Sequence, residues 1–200
     1  GHGTANAQDE AAWLVLWQLG LPLDTPLDNA LDGEESESNR PVTPAQQAQV
    51  AILFEKRITT RKPAAYLTQE AWLQGVPFYV DERAIVPRSF IAELLADGSI
   101  DYWLGEHTQR VLDLCTGNGS LAVLAALAWP GAEVLASDLS EGALEVARLN
   151  LHRHGLSSRV QPLRSDGLAA VSGAFDLILC NPPYVNRASM QALPPEYRAE

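Results

Sequence analysis

Residues 111–138 read VLDLCTGNGSLAVLAALAWPGAEVLASD, and this stretch decides the fold class of the chain. A short apolar run is followed by a loop with two glycines, by the apolar segment 121–129 and by a second apolar run. The segment 121–129 is long enough for a helix, whereas the runs 111–115 and 133–137 have the length and composition of buried strands. A strand, a helix and a second strand joined by short turns predict parallel strands with a right-handed crossover.

The same alternation continues along the chain. Ser140 is placed to cap a helix that Gly155 ends. Further strands are predicted near 159–163 and 175–180. The sequence therefore predicts an α/β fold built on a parallel sheet with four recognisable strands.

The sequence before residue 110 has a different organisation. A first helix is predicted to end at Gly20, and a Thr-x-x-Gln capping box begins a later helix at Thr43. Two β-rich runs, 77–80 and 84–86, are joined by polar residues and predict a hairpin. The chain accordingly divides into a helical domain over 1–70, a β-hairpin linker over 71–88 and a sheet domain over 89–200.

Composition narrows the classes of function. The chain carries a formal net charge of -11, which argues against non-specific nucleic-acid binding because such binding depends on Lys and Arg. No apolar stretch approaches the roughly 18–20 residues that span a bilayer, and no leader pattern stands at the first residues. Two cysteines without zinc spacing argue against a structural metal. We expect a cytoplasmic protein without a metal or membrane partner, and we interpret the chain as part of a longer protein.

Glycines and polar residues follow every predicted strand at its carboxyl end, where open parallel sheets bind ligands. They are Gly117, Asn118 and Gly119 after the first strand, Asp138 after the second, Asp166 after the third and Asn181 after the fourth. Glycines after the first strand allow a ligand to approach the backbone at a helix N-terminus. Because the four strand ends share one edge of the sheet, we predict one binding site there.

The residue types at this edge favour S-adenosylmethionine as the ligand. The loop lacks the third glycine of a dinucleotide fingerprint, because Ala122 stands at that position. Asp113, within the first strand, would repel a pyrophosphate and favours a ligand with a cationic end. Asp138 occupies the position that hydrogen-bonds ribose hydroxyls, and Asp166 is placed to receive an adenine amino group.

Each of these residues also has a simpler interpretation when it is taken alone. Gly117 and Gly119 suit any turn from a strand to a helix. Asp138 also suits the N-cap of the helix that follows it, and Asp166 also suits a turn before Gly167. Their joint occurrence at successive strand ends favours the ligand site.

The segment Asn181-Pro182-Pro183-Tyr184 is the most specific motif in the sequence. Two prolines after a strand also fit a rigid loop without chemistry. A carboxamide or aromatic amine nitrogen has a delocalised lone pair and is a poor nucleophile. The side-chain oxygen of Asn181 and the carbonyl of Pro182 are able to accept its two N–H hydrogens, while Tyr184 offers a flat face to the substrate. The motif predicts methyl transfer to a planar nitrogen.

The chain resembles the S-adenosylmethionine-dependent methyltransferases with an Asn-Pro-Pro-Tyr motif, and within them the protein-(glutamine-N5) methyltransferases. The segments that resemble the branch acting on the third large-subunit ribosomal protein are Ala65-Tyr66-Leu67-Thr68, Trp72, Phe78 to Arg83, Val86 to Ser89 and Leu193 to Arg198. The branch that acts on release factors has Pro-Glu-Thr after its Pro-Arg pair, whereas Ser89-Phe90-Ile91 follows here. This difference favours the ribosomal-protein branch.

The resemblance implies a Rossmann-like sheet of seven strands, of which this chain carries the first four, with S-adenosylmethionine as cofactor. It implies that Asp113 faces the methionine end of the cofactor. It implies cofactor contacts from Gly117, Asn118, Gly119, Asp138, Asp166 and Asn181, contacts from Asn181, Pro182 and Tyr184 to the substrate amide, and substrate recognition by residues 1–70. Phe90 and Gly167 depart from the family pattern, the second beside the adenine. We expect the chain without its closing strands to be inactive.

The sequence is compatible with three functions. The first is methylation of a glutamine in a large-subunit ribosomal protein, whose basic charge suits an acidic enzyme, with a release factor as the alternative protein substrate. The second is methylation of an amino group on a flipped nucleic-acid base, because the same motif geometry serves that reaction. The third is a binding module that keeps a cofactor pocket without turnover.

Two further sets of residues receive interpretations without chemistry. Cys115 and Cys180 are neighbours if the strand order is three-two-one-four, and we interpret them as small buried side chains. The histidines His107, His152 and His154 show no partner pattern and are interpreted as surface residues.

Overall fold

The computed structural model describes residues 6–25, 41–104 and 107–183 of the chain. Within these ranges the helices are α1 (Ala7–Leu19), α2 (Pro44–Thr60), α3 (Ala64–Thr68), α4 (Phe90–Ala96), α5 (Ser120–Ala128) and α6 (Glu141–Arg153). The strands are β1 (Ala71–Leu73), β2 (Val76–Phe78), β3 (Arg110–Leu114), β4 (Glu133–Asp138), β5 (Val160–Arg164) and β6 (Leu177–Cys180). Strands therefore alternate with helices from β3 to β5, and β6 follows β5 without a helix between them.

Strands β3 to β6 form a parallel sheet in the order β5-β4-β3-β6. Leu112 of β3 lies between Leu135 of β4 and Ile178 of β6. All four predicted strands are present within one or two residues of their predicted bounds, so the predicted α/β fold is confirmed. The chain passes from β3 outward to β5 and then returns to the other side of β3. Such a reversal of strand order is where parallel sheets bind ligands.

The core of the sheet domain is built around helix α5. This helix is apolar on nearly every side, and its residues from Ser120 to Ala126 are buried. It contacts the neighbouring helices α4 and α6 as well as strands β3 and β4. Val111 and Val134 of those strands are at most 2% exposed. Because a helix that is apolar all round must be covered on several sides, this packing holds the start of α5 against the strand ends.

The hairpin is present, but it pairs different residues from those predicted. The predicted pairing of 77–80 with 84–86 is wrong, because β1 pairs with β2 in antiparallel fashion. Gln74 and Gly75 form the turn, with φ of 50° and 73°. A two-residue turn with positive φ at both positions has the twist that joins antiparallel strands. The hairpin therefore lies earlier in the linker than its composition indicates.

Residues 81–86 form a loop instead of a strand. The Asp81 carboxylate accepts a hydrogen bond from the backbone N–H of Arg83 at 3.0 Å, and the Asp81 carbonyl accepts one from Ala84 at 3.1 Å. Ala84 and Val86 are 6% and 4% exposed. Their alternating burial comes from packing and not from strand pairing, which explains the strand-like pattern of this segment.

The N-terminal helices begin and end where the sequence predicts. Gly20, with φ of 67°, ends α1, and Thr43 and Gln46 form the reciprocal capping box that begins α2. The guanidinium of Arg57 on α2 binds the carboxylate of Glu10 on α1 at 3.1 Å. Buried apolar residues of α1, α2 and α3 share one cluster, so the three helices form a packed unit.

Residues of α6 and of the turn that follows it bind the hairpin and the loop after it. Nε2 of His154 lies 2.9 Å from the carbonyl oxygen of Pro77 in β2. Arg83 Nη1 donates a hydrogen bond to Glu145 Oε2 at 2.8 Å. His154 is half-buried and is therefore not the surface residue that the sequence predicts, whereas the other two histidines predicted at the surface are exposed. The linker is thus attached to the sheet domain through α6.

Candidate active site

Hydrogen bonds between strand ends bring the predicted site residues to one edge of the sheet. Thr116 N donates to Ser137 O at 2.9 Å, and Ser165 N donates to Asp138 O at 2.9 Å. The end of β6 lies beside the end of β3, so Asn181 follows at the same edge. The residues gathered there are Gly117, Asn118, Gly119, Asp138, Asp166 and Asn181.

Asp113 is completely buried inside β3. Its Oδ2 accepts hydrogen bonds from the hydroxyl of Thr116 and from the backbone N–H of Ala122 at 3.0 Å. Its Oδ1 has no partner in the described part of the chain. Burial raises the pKa of the Asp113 carboxyl to about 6, although the bonds from Thr116 and Ala122 act in the opposite direction. A cationic group on a ligand would favour the ionised carboxylate.

The two glycines after β3 are required for different reasons. Gly117 has a φ of +56°, and a Cβ added there would meet nothing within 4 Å. Gly119 has a φ of +82°, and its added Cβ would lie 3.0 Å from the Cβ of Ala147 on α6. Both torsion angles favour glycine. Gly119 lets α6 pack against the loop, whereas Gly117 leaves open space beside the backbone.

Asp138 joins the loop after β3 to the turn before α6. Its Oδ2 accepts a hydrogen bond from Gly117 N at 2.9 Å, and its Oδ1 accepts one from Ser140 N at 2.9 Å. Ser140, and not Asp138, is the N-cap of α6. Each carboxylate oxygen has a second lone pair, and the side chain is partly exposed. Asp138 is therefore able to hold the glycine loop and to accept ribose hydroxyls together.

Two further polar side chains near this edge are buried with an unpaired atom. Asn118 is 3% exposed, and its Oδ1 accepts a hydrogen bond from Ser120 N at 3.2 Å. Neither Nδ2 of Asn118 nor Oγ of Ser137 has a partner among the residues that the structure describes. Buried polar atoms are usually paired, so the unpaired donor and hydroxyl mark places for water or a ligand.

Asn150 of α6 is a site residue that the sequence analysis missed. Its side chain is completely buried, and its Nδ2 donates a hydrogen bond of 2.8 Å to the carbonyl of Asn118 in the glycine loop. The same amide group binds the backbone N–H and carbonyl of Tyr79. A polar residue among the apolar positions of α6 is the signal that would have identified it. Asn150 thus holds the backbone of the glycine loop in place through this hydrogen bond.

Asn181 contacts the segment that precedes α4. Its Nδ2 donates a hydrogen bond to the carbonyl of Arg88 at 3.2 Å. This bond orients the amide group, and Oδ1 is the acceptor of the side chain that a substrate N–H would use. Pro182 is exposed beside it. The predicted role of Tyr184 concerns a residue outside the described ranges.

Asp166 and the two cysteines complete the edge. Asp166 is exposed in the turn after β5, where its carbonyl accepts a hydrogen bond from Ala169 N at 3.0 Å. Both cysteines are free thiols, Cys115 partly buried and Cys180 exposed. The prediction that both are buried is therefore wrong for Cys180. Burial raises the pKa of the Cys115 thiol, and the nearby Cys180 thiol adds to that effect.

The described residues include neither a metal-ligand cluster nor a membrane-spanning helix. Those residues contain no group of three or more His, Cys, Asp or Glu side chains that could hold a metal ion. Their helices include none that is long and apolar enough to cross a membrane.

The groups at this edge fit S-adenosylmethionine. Oδ1 of Asp113 is a buried acceptor that no described residue pairs with, as an ammonium group requires. The space beside Gly117 would be reduced by any Cβ. The spare lone pairs of Asp138 suit ribose hydroxyls. Residues of this chain therefore offer an acceptor for a cationic group, open space beside the backbone and acceptors that suit ribose hydroxyls.

Comparisons with known proteins were made for the whole chain. Residues 95–193, which include β3 to β6, match the family model described as methyltransferase small domain. The chain is 53% identical over its full length to the ribosomal protein uL3 glutamine methyltransferase of Bordetella pertussis. It is 49% identical to the protein of that name in Burkholderia pseudomallei and 46% identical to the one in Neisseria gonorrhoeae.

The chain covers 65%, 66% and 64% of these three proteins, so it spans slightly less than two thirds of their length. A solved 16S rRNA N2 G1207 methyltransferase from T. thermophilus, in complex with AdoMet and guanosine, is 24% identical. It aligns with 57% of this chain and 32% of its own chain, with a TM-score of 0.45.

Proposed function

We propose that the protein methylates N5 of a glutamine in uL3, because residues 95–193 match the methyltransferase small domain and the whole chain is similar to ribosomal protein uL3 glutamine methyltransferases. The support from the comparisons is an identity of 46–53% over all of this chain. Within the structure, the observation that carries the proposal is the position of Asn181, which stands at the switch point of the sheet beside the glycine loop.

We assign the orientation of the glutamine amide to Asn181 and Pro182. Since Nδ2 of Asn181 is bonded to the carbonyl of Arg88 at 3.2 Å, its Oδ1 is available to accept one N–H of the amide. The carbonyl of Pro182 accepts the other N–H in this proposal. Two acceptors hold the planar nitrogen in line with the methyl group and favour the positive charge that develops on it. Tyr184 is assigned the face on which the flat amide lies.

S-adenosylmethionine, when bound, supplies a methyl group on a sulfonium centre. We assign the ammonium group of its methionine end to Asp113 and its ribose hydroxyls to Asp138. Gly117 and Gly119 shape the loop along which it lies, Asn118 places a buried amide behind that loop, and Asp166 is assigned the adenine amino group. The remaining cofactor contact is assigned to Asn181, at the methyl end. None of these assignments requires a strong base, because the proton is lost after methyl transfer.

Charge supports a protein substrate over a nucleic acid. The chain carries a net charge of -11, and a ribosomal protein is basic, so attraction steers the two together. We assign substrate recognition to residues 1–70, the linker role to 71–88 and the cofactor site to 89–200. Since the substrate is a ribosomal protein, we place the reaction in the cytoplasm.

Methyl transfer from tritiated S-adenosylmethionine tests this proposal. The full-length protein is incubated separately with purified uL3, with peptide release factors and with DNA, and an Asn181→Ala variant serves as the inactive control. Label in uL3 alone is expected, together with a mass shift of one methyl group on a glutamine-containing peptide. Label in release factors or DNA but not in uL3 would overturn the assignment of substrate.

A further inference from the structure

A cavity of about 820 Å³ lies between the N-terminal helices and the hairpin. Its walls come from α1, from the residues that follow α1, from β1 and from Val86 and Pro87. None of the described residues assigned to the cofactor or to the glutamine amide lines it. The cavity is therefore a separate feature of the molecule that the proposed chemistry does not use.

The walls of the cavity are rich in tryptophan. Trp13 and Trp17 stand one helical turn apart on α1, and Trp72 of β1 is 47% exposed. Three of the five tryptophans of the chain thus face one space. Indole rings bury a large area, and they bind cations on their faces within about 6 Å of the ring centre. Such a wall suits a ligand that combines apolar surface with positive charge.

The charged residues that line the cavity are acidic. They are Asp24 and Glu70, and no Lys or Arg is found among the described lining residues. Glu70 Oε1 accepts a hydrogen bond from the indole N–H of Trp72 at 2.8 Å, which fixes the ring beside the carboxylate. The other oxygen of Glu70 forms an ion pair with Arg153 at 3.7 Å, so Glu70 offers only part of its charge to a ligand. The aromatic faces and the two carboxylates together favour a cationic side chain over an anionic one.

The cavity is linked by a short stretch of chain to the acceptor side of the active site. Val86 and Pro87 line it, and the next residue, Arg88, accepts the hydrogen bond from Asn181. A polypeptide that presents a glutamine to Asn181 therefore passes close to the cavity. Residues that flank this glutamine are able to enter the cavity while the amide stays at the site.

We propose that this cavity binds the segment of the substrate protein that flanks the methylated glutamine, with a Lys or Arg side chain between the tryptophans and the carboxylates. The inference rests on the proposed function, because it assumes that the substrate is a basic protein. It adds a specificity site to that function: the cavity selects the substrate, and the Asn-Pro-Pro-Tyr segment selects the amide.

The test compares Trp72→Ala with Trp103→Ala in the full-length protein. Trp103 is 81% exposed and does not line the cavity, so it is a matched control for loss of an indole. Trp72→Ala is expected to raise KM for uL3 about tenfold, which corresponds to loss of one cation–π contact and its apolar area. Both kcat at saturating uL3 and the Kd of S-adenosylmethionine are expected to stay within about twofold of the wild type.

A charge reversal provides the second measurement. Asp24→Lys is expected to raise KM for uL3, and a uL3 variant whose basic residues beside the glutamine are replaced by Ala is expected to lose its sensitivity to this change. An unchanged KM in both Trp72→Ala and Asp24→Lys would overturn the inference, as would an equal change in Trp103→Ala. If the wild type fails to methylate uL3 at all, the proposed function fails first, so the two failures are distinguishable.

Discussion

Asn150 and Tyr79 lie 71 positions apart in the chain and exchange two hydrogen bonds: Tyr79 N donates to Asn150 Oδ1 at 2.7 Å, and Asn150 Nδ2 donates to Tyr79 O at 3.0 Å. The second N–H of the same amide donates to the carbonyl of Asn118 at 2.8 Å. One buried side chain therefore holds both the segment after the hairpin and the glycine loop. The position of the linker and the shape of the glycine loop are coupled through this side chain.

Replacing Asn150 by Leu should destabilise the protein and weaken cofactor binding together. The change leaves three buried backbone groups without partners, so we expect the free energy of unfolding to fall by about 2–4 kcal/mol. Urea denaturation measures this loss, and calorimetry measures the Kd of S-adenosylmethionine. The control is His152→Leu, at an exposed position of the same helix. Equal stability of the two variants would show that the hydrogen bonds of Asn150 contribute nothing.

The two loop glycines should respond differently to alanine. Gly119→Ala forces a Cβ to within 3.0 Å of Ala147, so we expect it to be less stable than Gly117→Ala by about 1–3 kcal/mol. The Cβ of Gly117→Ala meets no described residue within 4 Å, and its main expected effect is a larger Kd for S-adenosylmethionine. Thermal unfolding and calorimetry on both variants separate these effects. A larger stability loss in Gly117→Ala would contradict the packing role of Gly119.

The strands and the site edge could be predicted because their signals are local. The apolar runs of β3 and β4 are bounded by a glycine loop and by Asp138, and parallel strand ends share an edge whatever the side-chain details. The hairpin was misplaced for an equally local reason. Gln74-Gly75 is a weaker turn signal than Asn-Gly, and the segment 84–86 alternates because Ala84 and Val86 are buried by packing.

The contacts of Asn150, Arg88 and His154 could not be predicted in the same way. Each joins a side chain to a backbone carbonyl that is more than 30 positions away in the chain. Backbone groups carry no sequence signature, so a side chain that binds one at long range is indistinguishable from any other polar residue. The only available signal was the presence of Asn150 among the apolar positions of α6.

Cofactor binding should weaken at low pH because of Asp113. Burial raises the pKa of this carboxyl to about 6, whereas an unfolded aspartate has a value near 3.8. A raised pKa means that the folded protein without ligand binds the proton more tightly than the unfolded chain, so this group lowers stability as pH rises from about 4 to 6. An ammonium group needs the ionised form. We therefore expect the Kd of S-adenosylmethionine to rise about fivefold between pH 6 and pH 5.

Calorimetric titrations between pH 5 and pH 8 measure this dependence. In Asp113→Asn the affinity should be low at every pH and the slope between pH 5 and pH 6 should disappear. Asp97→Asn, at an exposed position, should keep the wild-type curve. A slope that survives in Asp113→Asn would assign the titration to a different group.

A substitution of Asn181 should separate cofactor binding from the chemical step. The bond from its Nδ2 to the carbonyl of Arg88 orients the amide. In the proposed reaction, Oδ1 accepts an N–H of the substrate nitrogen, on which positive charge develops. An interaction that strengthens in the transition state affects kcat more than ground-state binding. In the full-length protein, Asn181→Ala should therefore lower kcat by about 10²–10³, with only a modest rise in the Kd of S-adenosylmethionine. Gln161→Ala, exposed on β5, is the control for a lost carboxamide. Near-wild-type turnover by Asn181→Ala would remove Asn181 from the reaction. A loss of cofactor affinity as large as the loss of kcat would make Asn181 a cofactor ligand instead of an acceptor for the glutamine amide.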